Sequence, residues 1–261
     1  MAGNKPIETR GHITGFREEI GRAAGTSRDS FFTWFDSAGD AEASFIRGQW
    51  DFTIHIAPHL ARVVGNPECK TVLEIGYGGG RILAAASRAF AGAFGVDIHN
   101  RQDVVEAELK SRGLSNFKLL GGDGSHVPCE DASIDAIYSF IVLQHVERIA
   151  IWQSYLRECY RVLRPGGAAI LYFGRWAPLS LNRARPWAYR LELLLESFFL
   201  PAGYRELPAV VNDTNLHVRL GYAKKYARET GFRILGTTVS RKRVPDGLRL
   251  FGSQHGLLLQ K

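Results

Sequence analysis

TVLEIGYGGGRILAAASRAFA, residues 71–91, decides the fold. A short apolar run, TVLEI, reads as a buried strand. Gly-Tyr-Gly-Gly-Gly at 76–80 makes a sharp turn, and RILAAASRAFA then has helical spacing. Strand, glycine turn and helix in succession let the backbone at Gly76, Gly78 and Gly80 approach a ligand more closely than any Cβ would permit. Taken alone the turn is weak evidence, because several nucleotide ligands use such turns. The pattern is GxGxG, with Arg81 where the dinucleotide fingerprint wants its third glycine. Glu74 stands two residues before the first glycine, an awkward place for a carboxylate beside a pyrophosphate. A carboxylate there suits a ligand that carries an ammonium and a sulfonium.

The same grain continues downstream. GAFGVD (92–97), FKLLGGD (117–123), SIDAIYSF (133–140) and AAILYF (168–173) are four more apolar runs. Helix-prone stretches at 102–112 and 149–163 separate them, and RPGG (164–167) turns into the last. AKKYARETG (223–231) is a helix ending on glycine, and FRILGTTV and HGLLLQK read as two final strands paired as a hairpin. Strands alternating with helices at this spacing predict a doubly wound, mostly parallel α/β sheet. Ligands of such sheets sit beyond the carboxyl ends of the strands.

Two segments stand outside that rhythm. Residues 1–66 begin polar and become aromatic, with Phe31, Phe32, Trp34, Phe35, Phe45, Trp50 and Phe52. They read as an N-terminal helical cap ahead of a domain spanning 67–261, with Asn66-Pro67 as the boundary. Residues 174–218 read as a lid-like insertion after the fifth strand. Within it, Leu191, Leu194, Leu195 and Phe198 share one helical face, preceded by Arg183, Arg185 and Arg190. The default for such a face is packing against the chain's own core; a pocket lid, a lipid-facing helix and a dimer contact are the alternatives. Aromatic residues of 31–52 and 176–204 are expected to line the pocket of the group that is acted on, the acceptor.

Beyond the glycine turn, Asp97 ends the second run, 21 residues after Gly76, where an acid can accept hydrogen bonds from both hydroxyls of a ribose. Ile98 follows it and can pack on a base. Asp123 ends the third run, where it can accept from an exocyclic amine. His145, after SFIVLQ, is the first candidate general base and His217 the second.

In order and spacing, this set resembles the class I S-adenosylmethionine-dependent methyltransferases, in particular the broad small-molecule group. LEIGYGGG resembles the family's first motif, and Val96-Asp97 the acidic end of its second strand. GDGSHVPCEDASIDAIYS (122–139) and LRPGG (163–167) resemble two further motifs, so the match covers about 71–173. The resemblance implies a seven-stranded, Rossmann-like fold with S-adenosylmethionine as cofactor and S-adenosylhomocysteine as product. It implies donor contacts from Glu74, Gly76, Tyr77, Gly78, Asp97, Ile98, Asp123 and Gly124, and from the backbone at Phe140 and Ile141. Tyr77 and Cys129 depart from the residues common at their positions. No Asn-Pro-Pro-Tyr tetrapeptide follows the fourth strand; Phe140-Ile-Val-Leu143 stands there. By resemblance that lowers amine methylation of bases and favours oxygen. The expectation is O-methylation of a sugar or natural-product hydroxyl, with an RNA or nucleic-acid methyltransferase and a non-catalytic scaffold as alternatives.

Composition sets the remaining bounds. The 261 residues are 45% hydrophobic and 23% charged, an ordinary globular balance. Three cysteines, Cys69, Cys129 and Cys159, exclude a disulfide scaffold and a CxxC zinc site and suit a reducing cytosol. No apolar h-region opens the chain and no apolar run approaches the roughly 18 residues of a membrane span, so a cytoplasmic location is expected. The net charge of +7 mildly favours an acceptor carrying phosphate or carboxylate. Nucleic acid and a membrane surface are disfavoured as partners, and a homodimer stays open. His55 and His59 are four apart, but Pro58 lies between them and no third ligand is evident, so no metal is expected.

Overall fold

A computed structural model describes residues 15–180, 186–243 and 250–261. Among the described residues nine strands fall in chain order as β1 (Thr71–Ile75), β2 (Gly92–Asp97), β3 (Phe117–Gly121), β4 (Ile134–Ser139), β5 (Leu163–Gly174), β6 (Tyr204–Glu206), β7 (Leu216–Val218), β8 (Arg233–Arg241) and β9 (Phe251–Gln260). Seven form one sheet in the order β3-β2-β1-β4-β5-β9-β8, and β6 and β7 pair separately. Strands β1 to β5 pair in parallel, while β9 runs antiparallel between β5 and β8, which makes the expected final hairpin. The chain leaves β1 in one direction and β4 continues in the other, so the switch point lies between β1 and β4.

Helices α5 (Arg81–Ala89), α6 (Gln102–Ser111), α7 (Ile149–Val162) and α9 (Leu220–Thr230) cover the sheet. Strands buried on both faces sort alternate residues into two cores. Val72, Tyr138, Ile170 and Tyr172 face one, and Leu73, Ile137, Leu171 and Phe173 face the other. The second core is closed by Trp152, Tyr155, Leu156 and Cys159 of α7.

The first core is closed by the N-terminal helices α1 (Phe16–Thr26), α2 (Arg28–Trp34), α3 (Ala41–Asp51) and α4 (Ala57–Val64). Phe31, Phe32, Phe45, Phe52, Ile56 and Leu60 are buried with Tyr138 and Tyr172 in one continuous cluster. The N-terminal segment therefore supplies core to the sheet as well as a cover. Pro58 does not interrupt it. A wide π-turn at Phe52–Ile56 joins α3 to α4, and Pro58 falls in the first turn of α4, where a missing N–H is harmless. Within this join His55 is buried; its Nε2 accepts from the Arg241 N–H at 3.0 Å, and its Nδ1 lies 3.6 Å from Asp51 Oδ1. His55 thus belongs to the packing of the cap on β8.

Helix α8 (Pro186–Phe199) reverses the default reading of its apolar face. Leu194 and Phe198 are 75% and 76% exposed, with Trp187 and Leu191 on the same outward stripe, while Glu192 and Glu196 are buried. The reason lies in strands distant in sequence. Arg175 of the β5 end is itself buried and places Nη1 2.7 Å from Glu192 Oε2, and Glu192 Oε1 accepts from the N–H groups of Leu179 and Ser180. Glu196 meets buried His255 of β9 and accepts from the Leu220 N–H. Stranding one partner of such a pair costs about 3–5 kcal/mol, more than the apolar stripe would gain by turning inward one side chain at a time. Arg183 and Arg185 lie outside the described residues. Among the described residues no helix is long and apolar enough to cross a membrane.

Candidate active site

The site grows from the carboxyl ends of β1, β2 and β4. After Ile75 the chain turns on Gly76 (φ +77°), whose N–H donates to the Val96 carbonyl at 2.7 Å. A Cβ on Gly76 would stand 2.3 Å from Val142 Cγ2, so only glycine passes here. Gly78 (φ +51°) donates its N–H to Asp97 Oδ2 at 2.8 Å. Asp97 Oδ1 accepts from the N–H of Ile98 at 2.7 Å and of His99 at 3.3 Å. Three backbone donors thus aim the carboxylate at the end of β2 and tie it to the glycine turn. His99 braces the same turn, its Nε2 lying 3.0 Å from the Gly78 carbonyl.

Glu74 lies beneath the turn, 2% exposed. Burial pushes its carboxyl up to about 8, against the opposing pull of a hydrogen bond from Tyr138 Oη at 2.9 Å. The carboxyl is therefore mostly neutral at pH 7 until a cation arrives beside it.

The β4 end contributes Phe140 and Ile141. Ile141 holds φ +60°, a left-handed conformation that a β-branched residue adopts only where the surroundings impose it. Its N–H donates to Gln254 Oε1 of β9 at 3.0 Å. The following turn presents His145, whose Nδ1 lies 2.5 Å from the Asp213 carbonyl. A carbonyl can only accept, so Nδ1 carries the proton, and the Nε2 lone pair accepts from Gln144 Nε2 at 3.3 Å. Burial lowers the affinity of this imidazole for a second proton, although the Asp213 carbonyl pulls the other way.

These groups line one cavity of about 960 Å³, measured out to the solvent at its mouth. Glu74, Gly76, Tyr77, Gly78, Asp97, Ile98, Phe140, Ile141 and His145 all border it. Asp123 and Gly124 do not; their neighbour Gly122 does. Asp123 is exposed at the rim, where its Oδ1 accepts from the N–H groups of Ser125 and His126, both at 2.8 Å. His217 lies on β7, opposite Arg205 of β6, and is not among the lining residues.

The lining also contains residues that sequence reasoning missed. Tyr155 of α7 and Asn212 of the insertion border the cavity, and Phe16, Trp34 and Phe35 of the cap roof it. Trp34 and Phe35, from the stretch expected to line an acceptor pocket, border this cavity, whereas no aromatic of 176–204 is among its lining residues; Trp176 stacks on Phe199 instead, at 4.3 Å between ring centroids. Arg81, read only as a missing glycine, fastens the roof. Its Nη1 lies 2.5 Å from Asp51 Oδ2 of α3, and Arg243 joins the same oxygen at 2.9 Å. A buried Arg–carboxylate clasp has no signal in either local stretch.

S-adenosylmethionine fits these residues. A glycine cradle that any Cβ would fill accepts its amino-acid end, and Asp97 offers acceptor oxygens to a ribose. The Tyr77 hydroxyl is buried on the cavity wall without a hydrogen-bond partner, a polar atom that needs a partner from outside the chain.

The strand order, the glycine turn and the acidic end of β2 together define a class I S-adenosylmethionine-dependent methyltransferase domain. Residues 73–171 match the family model described as a methyltransferase domain. It is 33% identical over 116 residues to 24-methylenesterol C-methyltransferase 2 of Oryza sativa subsp. japonica, covering 43% of this chain and 31% of that protein. It is 32% identical over 89 residues to a demethylmenaquinone methyltransferase of a Geobacillus strain, covering 34% of this chain and 37% of that one. The matched stretches span about a third of the length of these curated relatives. Among solved structures, an S-adenosylmethionine dependent methyltransferase from Mesorhizobium loti superposes with a TM-score of 0.52 at 15% identity, over 78% of this chain and 96% of that one. At that identity the likeness speaks for the fold.

Proposed function

We propose that this chain transfers the methyl group of S-adenosylmethionine to a hydroxyl of a small molecule, a sugar or a natural product, and releases S-adenosylhomocysteine. The observation that carries this reading is His145: a neutral imidazole on the wall of the donor cavity, with Nδ1 spent on the Asp213 carbonyl and an Nε2 lone pair that accepts from the Gln144 amide until an acceptor hydroxyl takes its place. The bound donor supplies an electrophilic methyl group on a positively charged sulfur. The protein's part is alignment, exclusion of water and acceptance of a proton. Glu74 and the glycine turn hold the amino-acid end, Asp97 the ribose, and Phe16, Trp34 and Phe35 close the roof. As the acceptor oxygen bonds to the methyl carbon and the carbon–sulfur bond breaks, the hydroxyl proton passes to His145 Nε2. His217, away from the cavity, is given no part.

A second reading is supported by the names of the relatives, one of which methylates carbon. There the same base would remove a proton from the newly methylated carbon. Incubation with a methyl-labelled donor and a panel of hydroxyl and alkene acceptors separates the two by the labelled product. The expected result is label on oxygen, with kcat about 10²–10⁴-fold lower in His145→Gln and KM little changed. Label on RNA, or an unchanged rate in His145→Gln, would overturn the proposal.

A further inference from the structure

A second cavity adjoins the first through Phe140 and Ile141, which line both. Its other walls are Arg47 and Asp51 of α3, Ser240, Arg241, Lys242 and Arg243 at the end of β8, and Gly252, Ser253 and Gln254 at the start of β9. Three guanidinium groups, those of Arg47, Arg241 and Arg243, face one carboxylate. That carboxylate, Asp51, is already matched by Arg81 and Arg243. Arg47 donates to a neutral acceptor, the Asp36 carbonyl, at 2.8 Å. Among the described residues no carboxylate pairs with Arg47 or Arg241. Among the described residues the wall therefore carries two guanidinium groups, of Arg47 and Arg241, that no carboxylate matches.

We propose that this second cavity is the acceptor subsite and that it binds a phosphoryl group on the acceptor. The inference rests on the methyltransferase reading given above. Several guanidinium groups on one wall match the multiple oxygens and the double charge of a phosphoryl group better than a single carboxylate, because each planar fork engages two oxygens. Phosphate held by Arg241 and its neighbours places the rest of the acceptor toward Phe140 and Ile141, where the donor cavity begins. Gln254 fixes that shared edge by holding the Ile141 N–H.

The phosphoryl group has two sources, a soluble phosphate ester or a lipid headgroup. The wall is braced from behind by α8: Arg175 donates from Nε to the Gly252 carbonyl at 2.8 Å while its Nη1 meets Glu192. The outward stripe of Trp187, Leu191, Leu194 and Phe198 thus belongs to the helix that backs this subsite.

The test is calorimetric titration of inorganic pyrophosphate into the full chain, with and without S-adenosylhomocysteine. The expected result is saturable binding, at least tenfold weaker in Arg241→Gln/Lys242→Gln and unchanged in the surface control Lys225→Gln, with S-adenosylhomocysteine affinity within twofold throughout. Absent binding, or equal binding by the double variant, would overturn the subsite. Failure of S-adenosylhomocysteine to bind would instead refute the donor reading, and the pyrophosphate arm still runs on the free chain. Cosedimentation with phosphatidylcholine vesicles containing phosphatidic acid, lost in both the double variant and Leu194→Ser/Phe198→Ser, assigns the phosphoryl group to a lipid. Pyrophosphate binding without vesicle binding assigns it to a soluble ester.

Discussion

Binding of the donor is predicted to release a proton, and the proton comes from Glu74. In the free protein burial pushes this carboxyl up to about 8. Beside a bound ammonium or sulfonium its charged form is favoured, so the bound carboxyl is ionised. One pH unit is worth about 1.4 kcal/mol in this linkage. With a free value of about 8, the ionised fraction rises about ninefold between pH 6 and pH 7, and affinity rises with it. Below pH 7 the donor's own α-amino group, ordinarily near 7.7–8.0, stays charged and does not blur the window. Titration calorimetry at pH 6.0, 6.5 and 7.0, in two buffers of different ionisation enthalpy, reads both the affinity and the protons released. Wild type should gain about ninefold and release close to one proton; Glu74→Gln should bind more weakly at pH 7 and lose most of the pH dependence. A pH dependence identical in the two proteins would refute the reasoning. The same raised value makes the folded free protein hold a proton that the unfolded chain has lost between about 4.5 and 8. Stability of the free chain should therefore fall as pH rises through that window, and Glu74→Gln should flatten the fall.

Gly76→Ala should weaken S-adenosylhomocysteine binding at least tenfold, because its Cβ would stand 2.3 Å from Val142 Cγ2 at φ +77°; the left-handed strain alone costs about 1–2 kcal/mol, read as a fall of several degrees in Tm. Arg175→Met should cost about 3–5 kcal/mol in urea unfolding, since it strands the buried Glu192 carboxylate. Leu194→Ser, at a position 75% exposed, should stay within about 0.5 kcal/mol in the same assay.

The parts of the fold legible in the sequence are those written in local periodicity. TVLEI, the glycines and RILAAASRAFA announce strand, turn and helix within 21 residues, and Asp97 falls at its strand end by spacing alone. The donor cavity was legible for the same reason, since most of its wall hangs on the ends of three strands that neighbour one another in the sheet, β2, β1 and β4. What was not legible depends on partners far apart in the chain. The face that α8 turns inward is chosen by Arg175 and His255, 17 and 59 residues from their glutamates, and periodicity records only that an apolar face exists. The clasp of Arg81 on Asp51 spans 30 residues and looks, locally, like a missing glycine and an ordinary helical acid. Asp123 misses the cavity wall because Ser125 and His126 fold it into a turn of its own, a competition that the GDG spacing does not reveal. His145 and His217 stand first and second as candidate bases in the sequence, and topology puts the first on the wall and the second on a hairpin.

The central claim is that the cavity at the ends of β1, β2 and β4 holds S-adenosylmethionine through Asp97 and the glycine turn. Titration calorimetry of wild type and Asp97→Ala with S-adenosylmethionine and S-adenosylhomocysteine tests it most directly. The account predicts micromolar binding of both ligands by wild type and no measurable binding by the variant, which loses the ribose acceptor and the brace on the Gly78 N–H together. Wild type that binds neither ligand, or a variant that binds as tightly as wild type, would contradict it.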